Sequence, residues 1–242
     1  KWSTQNLVVN NNKLYVGINN AYEWGNEKGL VGIIDLDTYN YLNEIDLGVD
    51  GINPDNMMHN GDYIYTINNK DWSGASISQI SILTNSVVTV NLGASPTGCG
   101  TSCLRDGMIN YQISGDSILN EWDLTLLPSV GTPLSINQNF YDLSYDHINN
   151  LLYASSTDYA TTGSINIYDS NNLLIFSFSC GISPGTIAFD IRSLSTGIRE
   201  DLYNSNKIKD FSYDMLGRVI KQDEFIKGLI YIKNNKKVLI AK

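Results

Sequence analysis

Lys13-Leu-Tyr-Val-Gly-Ile-Asn19 decides how this chain folds, because its pattern returns as Asp62-Tyr-Ile-Tyr-Thr-Ile-Asn68, Met108-Ile-Asn-Tyr-Gln-Ile-Ser114 and Leu151-Leu-Tyr-Ala-Ser-Ser156. Each copy follows a turn and leads into a polar loop, a strand with Asp near its end, and a further strand that closes near Gly. The spacing is about 45 residues, and a period of that size built only from strand-like segments is the mark of a β-propeller blade.

Working outward from those four segments, each unit holds four strand candidates. The first unit reads Leu7–Val9, Leu14–Ile18, Leu30–Leu36 and Asn43–Leu47, and the second reads Asn56–His59, Tyr63–Ile67, Ile77–Leu83 and Val87–Leu92. The third starts at Thr101 and continues through Met108–Ile113, Ile118–Leu124 and Thr132–Ile136. The fourth covers Phe140–Tyr145, Leu151–Ser155, Ser164–Tyr168 and Leu174–Phe178. Apolar residues alternate or cluster over four to seven positions between Asn, Gly, Asp and Ser, and no amphipathic helical period appears. Asn11-Asn12, Asn60-Gly61, Asn149-Asn150 and Asn171-Asn172 are turn residues that tolerate positive φ. The links between units carry Gly48 through Pro54, Gly93 through Pro96 and Gly181 through Pro184, where glycine lets the chain leave a strand and proline stiffens the crossing.

Composition narrows the function classes. The chain is 42% hydrophobic, enough for a packed core, and carries a net charge of -9. Residues 1–198 hold six Lys/Arg against nineteen Asp/Glu, whereas residues 199–242 hold ten against six. That reversal marks an expected boundary near residue 195, with a repeat domain before it and a small module after it. An acidic body repels phosphate backbones, so nucleic acid is a poor partner, and no apolar run reaches the length of a membrane span. The sequence starts at Lys1, the expectation for a processed or trimmed product. Cys99 and Cys103 sit four apart in a stretch of Gly, Thr and Ser that reads as a turn. A small-loop disulfide between them is one reading and idle thiols the other; Cys180 is left over either way.

Leu14-Tyr-Val-Gly-Ile-Asn-Asn20, Val31-Gly-Ile-Ile-Asp-Leu-Asp-Thr38 and Ile45-Asp-Leu-Gly48 through Pro54 resemble the YVTN-type and NHL-like surface repeat propellers, and the resemblance extends over residues 7 to about 190. Rings of that kind commonly have six or seven blades, while four units are legible here, plus an extra strand candidate at Thr186–Ile191. The expectation is a small ring closed by that strand, part of a longer propeller, or a sandwich-like stack.

The last stretch reads as three or four short strands with hairpins at Leu216-Gly217-Arg218 and Asn234-Asn235. Thr196-Gly-Ile198, Tyr213-Asp-Met-Leu-Gly-Arg218, Lys227-Gly228, Tyr231-Ile232 and Lys236-Lys-Val-Leu-Ile240 resemble the C-terminal sorting modules of Bacteroidetes proteins exported by the type IX secretion system. One departure is Gly228-Leu-Ile-Tyr231, a residue longer than the usual spacing. The resemblance implies that residues 196–242 are an export signal read by the type IX secretion machinery, with no chemistry of their own, and places the protein outside the cell or on its outer surface.

Chemistry is sparse in these residues. No nucleophile elbow, phosphate loop or metal box is present, and no cofactor is expected. His59 and His147 read as solvated turn residues; Asp35, Asp37 and Asp169 read as acceptors for turn NH groups. Trp2 is a weak candidate, and Trp122 reads as a strand residue facing a neighbouring blade. One constellation remains. In three of the four loops between the second and third strands an acid directly precedes an aromatic: Glu23-Trp24, Asp71-Trp72 and Asp158-Tyr159. Those loops leave a four-stranded meander on the same side as the Gly/Pro crossings, which makes the pairs a candidate binding rim for a surface glycan or protein. Flat rings meet sugar or side-chain surfaces, and carboxylates accept hydrogen bonds. Packing of each ring over its own blade edge is the competing reading. Together the residues lead to an all-β, propeller-like protein of about four four-stranded blades with a small C-terminal β module, acting as a non-enzymatic binder. A phage or surface-filament component, and a carboxylate-based propeller hydrolase or lyase, are the alternatives.

Overall fold

The computed structural model describes residues 3–20, 23, 25–125 and 131–190, with side chains except at Asp71 and Cys99, and the backbone of four short strands beyond residue 211. Contacts divide the chain into two compact units, Lys1–Ile191 and Arg192–Lys242. Among the described residues there is no α-helix, and one turn of 3-10 helix spans Lys70–Trp72. Among the described residues no helix is long and apolar enough to cross a membrane.

The first unit contains four sheets of four antiparallel strands, each an uninterrupted meander. Blade one is β1 (Ser3–Asn10), β2 (Lys13–Asn19), β3 (Gly29–Asp35) and β4 (Tyr41–Asp46). Blade two is β5 (Pro54–Asn60), β6 (Tyr63–Asn68), β7 (Ala75–Ser81) and β8 (Val87–Gly93). Blade three is β9 (Thr97–Arg105), β10 (Met108–Ile113), β11 (Ile118–Asp123) and β12 (Thr132–Asn137). Blade four is β13 (Asp142–Asp146), β14 (Leu151–Ser156), β15 (Ser164–Tyr168) and β16 (Leu174–Ser179). The turn chemistry expected from sequence is present: Asn11, Asn12, Gly61, Asn150 and Asn172 all have positive φ, as do Asp106 and Gly107 in the corresponding turn of blade three.

Most of the core lies between blades, with a smaller cluster of Val16, Ile18 and Leu30 inside blade one. Tyr15, Val31, Ile33 and Ile45 of blade one pack against Met57, Ile64 and Ile80 of blade two. Tyr65, Ile67 and Ile77 pack against Ile109, Tyr111 and Trp122, and Cys103, Leu119 and Ile136 pack against Leu143, Leu152 and Ala154. The middle strands of a blade are covered on both faces, so burial runs almost without break along β6 and β7 and takes in the polar Thr66, Asn68, Ser76 and Ser78; the outermost strand is covered least, and every residue of β16 is exposed. Trp122 is 2% exposed and meets the Tyr65 ring edge-on at 6.3 Å, so it belongs to the interface between blades two and three.

Close backbone approach explains glycine at the start of the third strand. A Cβ on Gly29 would stand 1.9 Å from the Gly51 carbonyl oxygen in the crossing to blade two, and one on Gly163 would meet Pro184 at 2.6 Å. The crossing after blade four therefore repeats the one after blade one. The Leu47 amide donates to the Gly29 carbonyl and the Cys180 amide to the Gly163 carbonyl, each at 3.0 Å.

Neighbouring inner strands are tied by a recurring side-chain bond. Asn6 donates to the Asp55 carbonyl at 2.5 Å, Asn56 to the Ser102 carbonyl at 2.8 Å, and Ser144 to the Ile187 carbonyl at 3.1 Å. Residues 186–190 thus lie beside β13 as β5 lies beside β1, and Phe189 packs edge-to-face on Tyr153 at 5.1 Å. They pair into no sheet, so the extra strand expected at Thr186–Ile191 is corrected to an unpaired segment in the inner-strand position, with Ile191 outside the described residues.

In the second unit β17 (Ser212–Tyr213), β18 (Val219–Ile220), β19 (Ile230–Lys233) and β20 (Lys236–Leu239) form one antiparallel sheet in the order β18-β17-β19-β20. The expected hairpin residues 216–218 and 234–235, and the segment 196–198, lie outside the described residues.

Candidate functional site

The loop between β6 and β7 is held from below by the preceding crossing. Asn69 and Lys70 donate their amides to the Asn53 and Ile52 carbonyls at 3.1 Å, the Asn53 side chain donates to Asn69 Oδ1 at 2.6 Å, and Lys70 Nζ reaches Asp50 Oδ1 and Asn91 Oδ1 at 2.8 Å. This framework fixes Trp72 at φ 66°, with 57% of its surface exposed. A bulky aromatic in the left-handed region costs of order 1–2 kcal/mol and needs surroundings that enforce it.

The equivalent loop of blade four does the same by different means. Asp158 Oδ1 accepts the amides of Ala160 at 2.9 Å and Thr161 at 2.7 Å, while Oδ2 accepts the Thr161 hydroxyl at 2.7 Å. Those donors, the Thr161 amide foremost, hold the carboxyl down to about 2. Tyr159 sits at φ 63° and is 70% exposed, and its ring meets Tyr141 edge-on at 5.5 Å.

Blade three supplies the gap between them. Its short loop turns at Gly115, φ 79°, and carries no aromatic. Its floor is set by buried Gln112, which donates to the Gln138 carbonyl at 2.8 Å and accepts the Phe140 amide at 2.7 Å; Asn139 is tied to the Asp116 carbonyl at 2.8 Å. The result is a cavity of about 380 Å³ whose walls include Trp72, Tyr141, Tyr159, Phe140, Gln112 and Asn139. Among the described residues no charged side chain lines it.

The six residues singled out by sequence meet different fates. Trp72 and Tyr159 line this one cavity. Glu23 is not part of it; its carboxylate accepts from Asn26 Nδ2 at 3.3 Å. Trp24 lies outside the described residues, as do Trp2 and the side chain of Asp71. Asp158 positions the loop and does not line this cavity. Tyr141 and the Gln112–Asn139 floor were not legible as site residues. Their one sequence signal is that the crossing Asn137-Gln-Asn-Phe-Tyr141 lacks the Gly/Pro pair of the other crossings.

Other reactive groups are accounted for by structure. His59 is drawn into the blade contact, with Nε2 at 2.6 Å from Asn10 Nδ2 and 2.9 Å from the Gly61 carbonyl, which corrects its reading as a solvated turn residue; His147 is exposed. Asp35 and Asp169 accept turn amides and lie below the usual carboxylate range for that reason. Thr97–Arg105 is strand, not turn, and Cys103 is a free thiol buried between blades three and four, pushed up to about 12 by burial. The small-loop disulfide is thereby overturned. Among the described residues no group of three or more His, Cys, Asp or Glu side chains gathers around a point.

No known family matches the chain by sequence, and no curated protein matches it. Solved structures do. Hydrazine synthase from Kuenenia stuttgartiensis is similar with a TM-score of 0.51 at 14% identity, over 69% of this chain and 46% of that one. The Cps50 (Swd1) β-propeller domain from Myceliophteria thermophila is similar with a TM-score of 0.51 at 15% identity, over 76% and 59%. BamB from Moraxella catarrhalis is similar with a TM-score of 0.43 at 12% identity, over 69% and 40%. This chain spans roughly half the length of those structures. At such identities the likeness concerns fold alone, and the four meanders together with the likeness to the Cps50 domain make this an all-β chain of β-propeller architecture.

Proposed function

We propose that the chain is a non-enzymatic propeller acting outside the cell or on its outer surface, where the cavity of Trp72, Tyr141 and Tyr159 binds a surface partner. The observation that carries this reading is that two mostly exposed aromatics at corresponding loops both hold a left-handed backbone and both line one cavity. A ring that merely packs over its blade edge has no need of that conformation. The aromatic rings and amide groups that line the cavity suit sugar faces and hydroxyls, which supports a glycan as the partner. Delivery rests on residues 196–242: their resemblance to type IX sorting modules and the reversal of charge after residue 198 support a role as an export signal.

Two experiments test the two halves separately. Glycan-array binding by the wild-type chain, lost in the double variant Trp72→Ala/Tyr159→Ala, supports the rim reading; unchanged binding in the double variant ends it. Fusing residues 192–242 to a reporter in a type IX-competent host should bring the reporter to the cell surface, and retention of the fusion inside the cell would remove the export reading.

A further inference from the structure

A second cavity, of about 300 Å³, lies where the inner strands β1, β5, β9 and β13 come together, and it is polar where the rim cavity is aromatic. Asn6, Asp55, Asn56, Asp142, Ser144 and Thr186 line it. Asn6 donates to the Asp55 carbonyl, Asn56 to Ser102, and Ser144 to the Ile187 carbonyl, while Asn56 Oδ1 accepts the Met57 amide at 2.8 Å. The side-chain oxygens left to the space are those of Asn6, Ser144, Thr186 and the carboxylates.

Asp142 stands out among these residues. It is only 8% exposed, and although the amides of Leu143 and Ile187 donate to its carboxylate, Oδ2 is buried with no hydrogen-bond partner. Among the described residues no Lys, Arg or His lines the cavity. Arg105, buried at the end of β9, is spent on Asn172 Oδ1 at 2.6 Å and the Asp169 carbonyl at 3.0 Å. A buried carboxylate without a counter-charge is costly, and burial pushes Asp142 up to about 6. A bound cation removes that cost.

The donor set narrows the kind of cation. Zinc prefers nitrogen and sulfur ligands, and none is here. Two carboxylates with amide, hydroxyl and carbonyl oxygens suit a larger, flexible, oxygen-seeking ion. An acid–base hydrolase using Asp55 and Asp142 is a weaker fit, because no aromatic ring lines the cavity to seat a sugar. We propose that the axial cavity is a calcium-type cation site, with Asp142 as its anchoring ligand, Asp55 as the second carboxylate, and neutral oxygens of the inner strands completing the shell. Such an ion joins residues of blades one, two and four and the segment after β16, so it clamps the blades around their axis. The inference is independent of the rim reading.

The test uses the full chain stripped with EDTA and titrated with calcium, magnesium or potassium chloride, followed by thermal melting and equilibrium dialysis of calcium. Calcium should raise the Tm by roughly 5 °C or more at saturation, with magnesium weaker and potassium inert. Asp142→Asn, which removes the unpaired charge and should fold, ought to abolish the calcium shift; Asp55→Asn should weaken binding at least about tenfold. Asp35→Asn, at an exposed turn, serves as the control and should keep the full response. The proposal is overturned if the wild-type chain shows no calcium shift at 10 mM, or if Asp142→Asn responds as the wild type does. Loss of calcium binding in Asp142→Asn with rim binding intact separates this site from the cavity of Trp72 and Tyr159.

Discussion

Trp72 and Tyr159 share a backbone conformation and a cavity although they stand on blades two and four: φ is 66° and 63°, and both rings border the space above the short loop of blade three. Neither is driven there by burial, since both are mostly exposed. Each loop is over-determined by its own bonds, Lys70 with Asp50 in one and Asp158 with Thr161 in the other.

That relationship predicts a separation of stability from binding. Trp72→Gly and Tyr159→Gly relieve the left-handed strain, so thermal melting should show a Tm unchanged or up to about 3 °C higher. Glycan binding on an array or by calorimetry should fall at least about tenfold for each. A loss of stability with binding retained would mean that the rings serve packing.

Glycine at the blade crossing makes a sharper stability prediction. Gly29→Ala places a methyl group 1.9 Å from the Gly51 carbonyl oxygen, and urea denaturation should report a loss of about 2–3 kcal/mol. Gly181→Ala, with open space around the added atom and no positive φ, should leave the midpoint within about 0.5 kcal/mol of wild type.

Asp142 ties stability to pH. Its folded carboxyl is raised from 3.8 to about 6. Between those values the folded chain holds a proton that the unfolded chain has lost, so stability falls as pH rises from about 4 to 6 and stays lower above that. In EDTA, Asp142→Asn should therefore melt higher than wild type at pH 7, by about 1–2 kcal/mol, and the gap should shrink toward pH 4.

Cys103 is predicted to resist alkylation. Burial disfavours its thiolate, so peptide mapping after native iodoacetamide treatment at pH 8 should recover Cys103 unmodified, while the partly exposed Cys180 is labelled. Labelling of Cys103 only after denaturant is the expected control.

Much of the fold was legible because a blade is a local object. The Tyr15, Tyr65, Tyr111 and Tyr153 segments recur behind tight turns, asparagine-bearing in blades one, two and four and Asp106-Gly107 in blade three, and strands of a meander pair with their sequence neighbours, so period and turn chemistry suffice. Strand ends shifted by a few residues. β9 begins at Thr97 rather than Thr101, since Gly98 and Gly100 hide a strand from any reading based on apolar pattern. The site was legible only in part. Trp72 and Tyr159 carry a local sign, an acid before an aromatic, whereas Tyr141 and Gln112 become wall and floor only when blades three and four pack.

By itself, the sequence determined the repeat, the four-stranded blades, the acidic body with a basic tail, and the two aromatics, Trp72 and Tyr159, that meet at one cavity. All of these follow from residue period, turn preference and charge, which act over a few neighbours along the chain. Tertiary structure alone decided that Asp158 props its loop, that Cys103 is core, that residues 186–190 take the inner-strand position, and that Asp142 is buried with an oxygen unpaired. Those outcomes depend on which surfaces meet across blades. Burial, hydrogen-bond completion and desolvation are properties of that meeting, and no single stretch of the chain contains them.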